Sequence, residues 1–382
     1  MERSMADALS RCRMTVQRAT VMCATELAAR RGTGARRRAY DALACATLLL
    51  TVFSAGPLKA QTSPGPPPKA APSAWMGLIG EYGDGDRMLI SERDGSLYAT
   101  GEWLTPYPVR EISSDVFQWP HDGLYGGSRV TFQRDAKGRA TQLTVGGIVF
   151  PRRQIGPESG TQLRVTPVRP VEELRPIALA AKPPVEPPSA RKPDLVELTT
   201  LDSTIKLEIR YATTNNFLGS RMYTQARAFM QRPAAEAVVR ASRELHKRGY
   251  GLLIHDAYRP WYVTKIFWDA TPADKKWLVA NPAHGSMHNR GCAVDLTLYD
   301  LGTGKPVEMV STYDESTDRA YAEYPGGTSL QRWHRALLRS VMEAEGFTAN
   351  PQEWWHFDYK DWRDYPIMNV TFEQISAEKG GR

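Results

Sequence analysis

An α+β fold is what this sequence predicts: a mainly antiparallel sheet with flanking helices, preceded by a small all-β domain. Three observations carry that expectation. Between residues 74 and 168, short alternating apolar runs recur between turn signals, as in Arg87-Met88-Leu89-Ile90-Ser91, then Asp94-Gly95, then Ser96-Leu97-Tyr98-Ala99-Thr100. That is the pattern of consecutive antiparallel strands in a small sheet or barrel. From residue 194 to 382, strand-like runs interleave with amphipathic helical ones, which indicates helices packed on a sheet. Between these parts, residues 169–193 read as a Pro-rich linker, in which Ala178 to Pro193, rich in Pro, Ala and Lys, is expected to be extended.

The chain has 382 residues, enough for two domains, and its composition is ordinary globular. Its formal net charge of +7 is concentrated at the start. Residues 1–60 hold ten Lys/Arg against four Asp/Glu, leaving 39 basic and 38 acidic residues beyond them. No broad basic field remains to bind a nucleic acid. Residues 1–60 read as an export signal region. Arg36-Arg37-Arg38 forms a basic segment, Ala42 to Ala55 is mostly apolar, and Leu58-Lys59-Ala60 offers a small-residue cleavage site before Gln61. The apolar run falls short of the roughly 20 residues that span a bilayer. The membrane is therefore expected to be met only through this signal, with a bacterial periplasmic location; an uncleaved anchor is the alternative. Residues 61–73, rich in Pro, Ser and Ala, read as a first linker.

Cys12, Cys23 and Cys45 precede the cleavage site, so the mature chain keeps Cys292 alone and has no internal disulfide. In its Gly-Cys-Ala-Val setting Cys292 reads as a small buried residue, against the alternatives of nucleophile or ligand. In the second part, Leu207 to Tyr211 reads as a strand and Gly251 to His255 as a buried one. Residues 233–246 read as a helix with Ala235, Val238, Val239, Ser242 and Leu245 inward and Gly249 past its end. A further helix covers about 329–345, with Leu330, Trp333, Leu337, Leu338 and Val341 inward. His246 and His334 are expected on exposed helix faces, His255 as a hydrogen-bonded core residue, and His121 in a loop.

The chemistry concentrates in Ala283 to Leu298. His288 and Asp295 stand seven apart with a Gly-containing turn between them, and Glu353-Trp354-Trp355-His356 follows later. Two imidazoles, one carboxylate ligand and one spare carboxylate make the inventory of a hydrolytic zinc site with a position open for water. Alternation in Ala293 to Leu298 sets Asp295 on the face opposite Val294, Leu296 and Leu298. A carboxylate on a buried strand costs several kcal/mol unless paired or bound to metal; a capped or salt-bridged Asp295 is the alternative. His288, Asp295 and His356 are the expected ligands, with Glu353 as general base. Residues three apart on a regular strand face opposite sides, so Asn350-Pro351 must turn the chain to bring Glu353 round. His284 competes with His288. Arg259, stiffened by Pro260, can donate to a tetrahedral oxyanion or serve as a structural ion-pair partner.

Ser286-x-His288-x-x-Gly291-x-Ala293-x-Asp295 followed by Glu353-Trp354-Trp355-His356 resembles the zinc D,D-peptidases, and most of all the D-alanyl-D-alanine dipeptidases of the VanX type. Arg210-Tyr-Ala-Thr-Thr-Asn-Asn-Phe-Leu-Gly219 and Asp256-Ala-Tyr-Arg259-Pro are similar too, and the likeness covers about residues 194–375. The resemblance implies one zinc ion on His288, Asp295 and His356, Glu353 as base and Arg259 as the transition-state arginine. It implies that Ser286 and Asp314 hold the amine of a small D,D-dipeptide substrate, and that cell-wall peptides are the metabolic setting. A peptidoglycan D,D- or L,D-carboxypeptidase or endopeptidase, which would take cell-wall fragments, is the first alternative. A non-catalytic zinc-stabilised binding module is the second.

Overall fold

The computed structural model describes residues 64–101, 105–156, 163–186 and 188–380. The export signal expected over 1–60 lies outside the described residues. Among those described, no helix is long and apolar enough to cross a membrane.

The first part is a meander of eight strands in sequence order: β1 (Gly80–Tyr82), β2 (Met88–Arg93), β3 (Ser96–Thr100), β4 (Pro106–Ser113), β5 (Val116–Gln118), β6 (Arg129–Arg134), β7 (Ala140–Val145) and β8 (Ile148–Pro151). Each is antiparallel to the next. The ends also meet. Tyr82 and Arg152 form an antiparallel bridge, Gly83 N donates to Pro151 O at 2.7 Å, and Arg153 N donates to Glu81 O at 2.9 Å. The sheet is thereby closed into a barrel, filled by large side chains such as Tyr82, Leu97, Phe117, Trp119, Phe132 and Leu143. Alternation produces this directly: in Arg129–Arg134, Val130 and Phe132 are buried while their neighbours are not.

The linker expected over 169–193 contains a helix, α1 (Val171–Ala180), whose last turn reaches into the part expected to be extended. Val171, Leu174 and Ala178 fall at helical spacing and are buried in the larger core, while Glu172 and Glu173 sit in the first turn, where negative charge favours a helix. Pro176 lies inside the helix.

The remainder follows in order: β9 (Leu195–Glu197), β10 (Lys206–Leu207), β11 (Phe229–Gln231), α2 (Arg232–His246), β12 (Tyr250–Asp256), α3 (Trp261–Ala270), β13 (Ala293–Asp300), α4 (Ser329–Ala344), β14 (Phe347–Asn350), β15 (Glu353–Tyr359) and α5 (Phe372–Gly380). The main sheet has the order β10-β12-β13-β15-β14. Only β10 and β12 run parallel, so the sheet is mainly antiparallel, in an α+β arrangement. Helices α2 and α4 pack on this sheet and on one another. All five residues expected inward on α2 are buried. On α4, Leu337, Leu338 and Val341 are buried as expected, and Leu330 and Trp333 are half-buried. Thr328 caps α4 reciprocally with Gln331, its hydroxyl accepting from Gln331 N at 3.1 Å and its N–H donating to Gln331 Oε1 at 2.9 Å.

Three local expectations are corrected. The strand expected over Leu207 to Tyr211 stops at Leu207. Arg210–Ala212 forms a tight turn, and Arg210 Nε donates to Asn215 O at 2.9 Å. His334 is buried, not solvated, with Nε2 3.2 Å from Tyr250 Oη, because α4 lies against the start of β12. His246 is half-buried, its Nε2 3.3 Å from Thr204 Oγ1.

Candidate active site

Antiparallel pairing aligns the central groups. Asp295 on β13 is in register with His356 on β15, and Asp256 on β12 with Asp295. Directly opposed residues project to the same face, so three strands deliver a row of polar side chains at one end of a buried sheet.

His288 reaches the row from a tight turn, Met287–Arg290. Ser286 caps that turn, its Oγ accepting from His288 N at 3.3 Å and its N–H donating to Asn289 Oδ1 at 2.8 Å. Gly291 ends it at φ 70°, where an added Cβ would stand 2.7 Å from Leu195 Cδ2. Only glycine meets both demands without strain.

The hydrogen bonds around the imidazoles fix what faces the centre. His288 Nδ1 lies 2.7 Å from Ala257 O, and His356 Nε2 lies 2.9 Å from Asp358 Oδ1. A carbonyl and a carboxylate can only accept, which puts the protons of the neutral rings at those two nitrogens. The opposite nitrogens, His288 Nε2 and His356 Nδ1, are 3.2 Å apart, and Asp295 Oδ1 is 3.4 Å from the first and 2.9 Å from the second. Two lone pairs and a carboxylate oxygen thus converge within 4.8 Å. Acceptors gathered this way repel unless a cation lies between them, and two nitrogens with one oxygen suit zinc. Without a cation a second proton must enter the set. Burial would depress His356, but its hydrogen bonds to Asp295 and Asp358 outweigh that and raise it well above the ordinary imidazole range. Burial likewise opposes the charge on Asp295, and the two imidazoles hold it well below the usual carboxylate range.

Glu353 opens β15, and the register of β14 against β15 shifts between Ala349 and Asn350. That irregularity removes the objection that Glu353 and His356 must face opposite ways. Glu353 Oε2 comes within 3.9 Å of His356 Nδ1 and accepts from Asn350 Nδ2 at 3.1 Å. Its side chain keeps 43% of its surface open to the cleft. Desolvation by the surrounding walls raises its pKa; the imidazoles oppose this and Asp295 adds to it.

Arg259 is ion-paired with Asp256 Oδ2 through Nε at 2.9 Å and Nη2 at 2.7 Å. Its Nη1 has no hydrogen-bond partner among the described residues. The guanidinium is also stacked over Tyr211 and Phe267, 5.2 and 5.0 Å from the ring centroids. Asp256 in turn accepts from Tyr223 Oη at 2.8 Å.

Ser286, Asp314, Arg259, Glu353 and the three converging residues all line one cleft of about 500 Å³. Asp314 adopts φ 59° and accepts from Tyr211 Oη at 3.1 Å. Burial, with Asp295 and Glu353 adding, pushes its pKa up to about 7. His284 is exposed and takes no part in the converging set. Cys292 is buried, and burial raises its thiol pKa. His255 is buried and stacked on Tyr313, ring centroids 4.6 Å apart.

Several contributors were not singled out from sequence. Tyr313 Oη donates to Asp295 Oδ2 at 3.0 Å, and Asp358, Asp256, Tyr211 and Asn350 orient the groups already described. Asp256 stands three residues before Arg259, and Asp358 two after His356. Those spacings are the signals that could have found them.

Such a constellation places the protein among the metallopeptidases as a class. A family profile described as D-ala-D-ala dipeptidase, Peptidase M15, matches residues 191–375. The chain is 33% identical over 179 residues to a D-alanyl-D-alanine dipeptidase of Escherichia coli (strain K12), covering 47% of this chain and 91% of the relative. It is 34% identical over 187 residues to one of Enterococcus faecium, covering 44% and 91%. A third, from Enterococcus faecalis (strain ATCC 700802 / V583), is 33% identical over 186 residues, covering 44% and 92%. The chain belongs to the D-alanyl-D-alanine dipeptidase family of zinc metallopeptidases.

Proposed function

We propose that this protein hydrolyses the free dipeptide D-Ala-D-Ala, with one zinc ion held by His288, Asp295 and His356, in the turnover of cell-wall peptides. When bound there, zinc supplies Lewis-acid polarisation of the scissile carbonyl and lowers the pKa of a water to about 7. Everything else falls to the chain. Glu353 takes the proton of the attacking water and returns it to the leaving amine, while Asn350 holds Oε2. Its raised pKa suits both halves of that transfer. Arg259, fixed by Asp256, donates from Nη1 to the carbonyl oxygen as negative charge develops there. Arg259→Lys should retain zinc but turn over at least about tenfold more slowly, since a point charge cannot replace the planar fork of donors. Normal kcat in that variant would leave Arg259 a structural ion-pair partner.

The observation that carries the substrate reading is Asp314. It is a carboxylate in the same cleft, pushed up to about 7 by burial and by its acidic neighbours. A substrate ammonium supplies the missing counter-charge, with the Ser286 hydroxyl as second partner. Blocking that amine leaves Asp314 desolvated and unpaired, a loss of several kcal/mol. D-Ala-D-Ala should therefore be cleaved orders of magnitude faster than N-acetyl-D-Ala-D-Ala or a cell-wall pentapeptide, and Asp314→Ala should narrow the gap by slowing the free dipeptide most. Assaying the three substrates side by side with zinc-loaded protein decides it. Comparable cleavage of the pentapeptide would make the protein a carboxypeptidase, and no cleavage of any would make it a binding module.

We further propose export, with cleavage after Ala60. N-terminal sequencing of protein recovered from the cell envelope should return Gln61; an N-terminus still carrying the signal region would overturn cleavage.

A further inference from the structure

The barrel lies outside residues 191–375, which match the family. Since 47% of this chain covers 91% of the Escherichia coli relative, that relative is too short to hold a counterpart of it. The barrel is nevertheless joined to one particular part of the peptidase, the connection between β13 and α4.

That connection, residues 301–328, carries Tyr313 and Asp314, and its one helical turn is Asp318–Ala320. Connections of this length without regular structure are ordinarily mobile or functional. This one is held from the barrel side at successive points. Glu92 on β2 is almost fully buried, and both its carboxylate oxygens are engaged. Oε2 accepts from Ser329 N at 2.7 Å, at the start of α4, and Oε1 accepts from Gly95 N at 2.6 Å. The Glu92 N–H donates to Gly327 O at 3.1 Å, and its carbonyl accepts from Arg332 Nη2 at 2.7 Å. Glu81 on β1 accepts from Tyr324 Oη at 2.8 Å and is ion-paired with Arg153. Arg87 reaches Asp318 at 3.4 Å, but that pair is exposed and contributes least.

Inside the cleft the same segment touches the working groups. Tyr313 donates to Asp295, Asp314 accepts from Tyr211, and Ala322 N donates to Pro351 O at 3.0 Å, two residues before Glu353. One irregular segment is therefore fastened to the barrel at one end and to the site at the other.

We propose that the barrel is a positioning device for the ammonium-binding loop: Glu92 and Glu81 hold residues 311–328 in the geometry in which Asp314 meets the substrate amine. This rests on the dipeptidase reading given above. Glu92 and Glu81 are positioning residues, since neither lines the cleft. A tie that served global stability alone would not single out the amine.

Two variants of the full chain test it, Glu92→Gln, which replaces one accepting oxygen by a donor, and Tyr324→Phe, which removes a single hydroxyl. In the absence of substrate, amide hydrogen exchange across residues 311–327 should quicken about tenfold, the worth of one hydrogen bond, while β13 and β15 keep their protection and zinc content is unchanged. With D-Ala-D-Ala, KM should rise by a similar factor and kcat change less. Both KM effects should vanish when Asp314→Ala is already present, because residues acting through one another are not additive. Unaltered exchange in the loop, an equal fall in kcat with unchanged KM, or full additivity with Asp314→Ala would each overturn the proposal. If the unmodified protein fails to cleave D-Ala-D-Ala, the dipeptidase reading falls by itself, and the exchange measurement still decides whether the barrel holds the loop.

Discussion

His356→Ala is expected to strip the protein of its metal and abolish hydrolysis, and His288→Ala to do the same. The purified protein should hold about one zinc per chain, because two imidazole nitrogens and one carboxylate oxygen converge within 4.8 Å and would suit one zinc ion. Removing either imidazole leaves two protein donors, and the buried Asp295 keeps only one imidazole and the Tyr313 hydroxyl beside it. Breaking one partner from such a set ordinarily costs roughly 3–5 kcal/mol, so a lower melting temperature should accompany the metal loss. Asp358→Asn is a gentler check. It leaves His356 in place and removes only the acceptor of its Nε2 proton, a change that typically weakens metal affinity about 10–100-fold. Elemental analysis of the three variants beside the parent protein suffices. Unchanged zinc in both histidine variants would mean that the metal sits elsewhere.

Glu353→Gln should part binding from chemistry. The amide keeps the size of the side chain and a contact with Asn350, but it cannot take a proton. Zinc content should stay near one per chain while hydrolysis falls by about 10²–10⁴-fold, the usual worth of a general base. KM should change little. Loss of zinc instead would make Glu353 a ligand. Asn350→Ala, which frees Glu353 Oε2 from its one hydrogen bond among the described residues, should shift the acidic limb of the kcat profile upward, since a donor to the charged form favours that form.

Much of this site could be read from residue types and spacing, and the boundary of what could not is physical. His288, Asp295, Glu353 and His356 announce themselves because their chemistry is rare in such close company. Of their supporting groups, Asp256 and Asp358 stand three and two residues from the partners they hold, a spacing that can be read locally, whereas Tyr313 reaches Asp295 from a distant loop, which no local pattern encodes. Asn350 was visible as a turn residue, yet its grip on Glu353 depends on a register irregularity one residue long. The same holds for the fold. Strand alternation marked the meander, but its closure joins Tyr82 to Arg152, 70 residues apart, without any signature at either. The helix at Val171–Ala180 was missed because Pro176 and its alanines mimic a linker, while the burial that stabilises it comes from α3, across the domain.

The closure of the barrel has a colloidal consequence. A strand at the rim of a sheet offers unpaired N–H and C=O groups to any passing chain, and proteins blunt such rims to stay dispersed. Here β1 and β8 consume one another's free groups over Tyr82 and Arg152, so the barrel presents no long rim. The main sheet ends at β10, two residues long, and β14, four residues long. On β10, Lys206 closes the outer side further by donating to Gly304 O at 2.8 Å. The separate pair of β9 and β11 adds two strands of three residues each. Among the described residues, this β-rich chain thus offers intermolecular strand addition only short templates, so it should remain monodisperse at concentrations where an open eight-stranded sheet would self-associate.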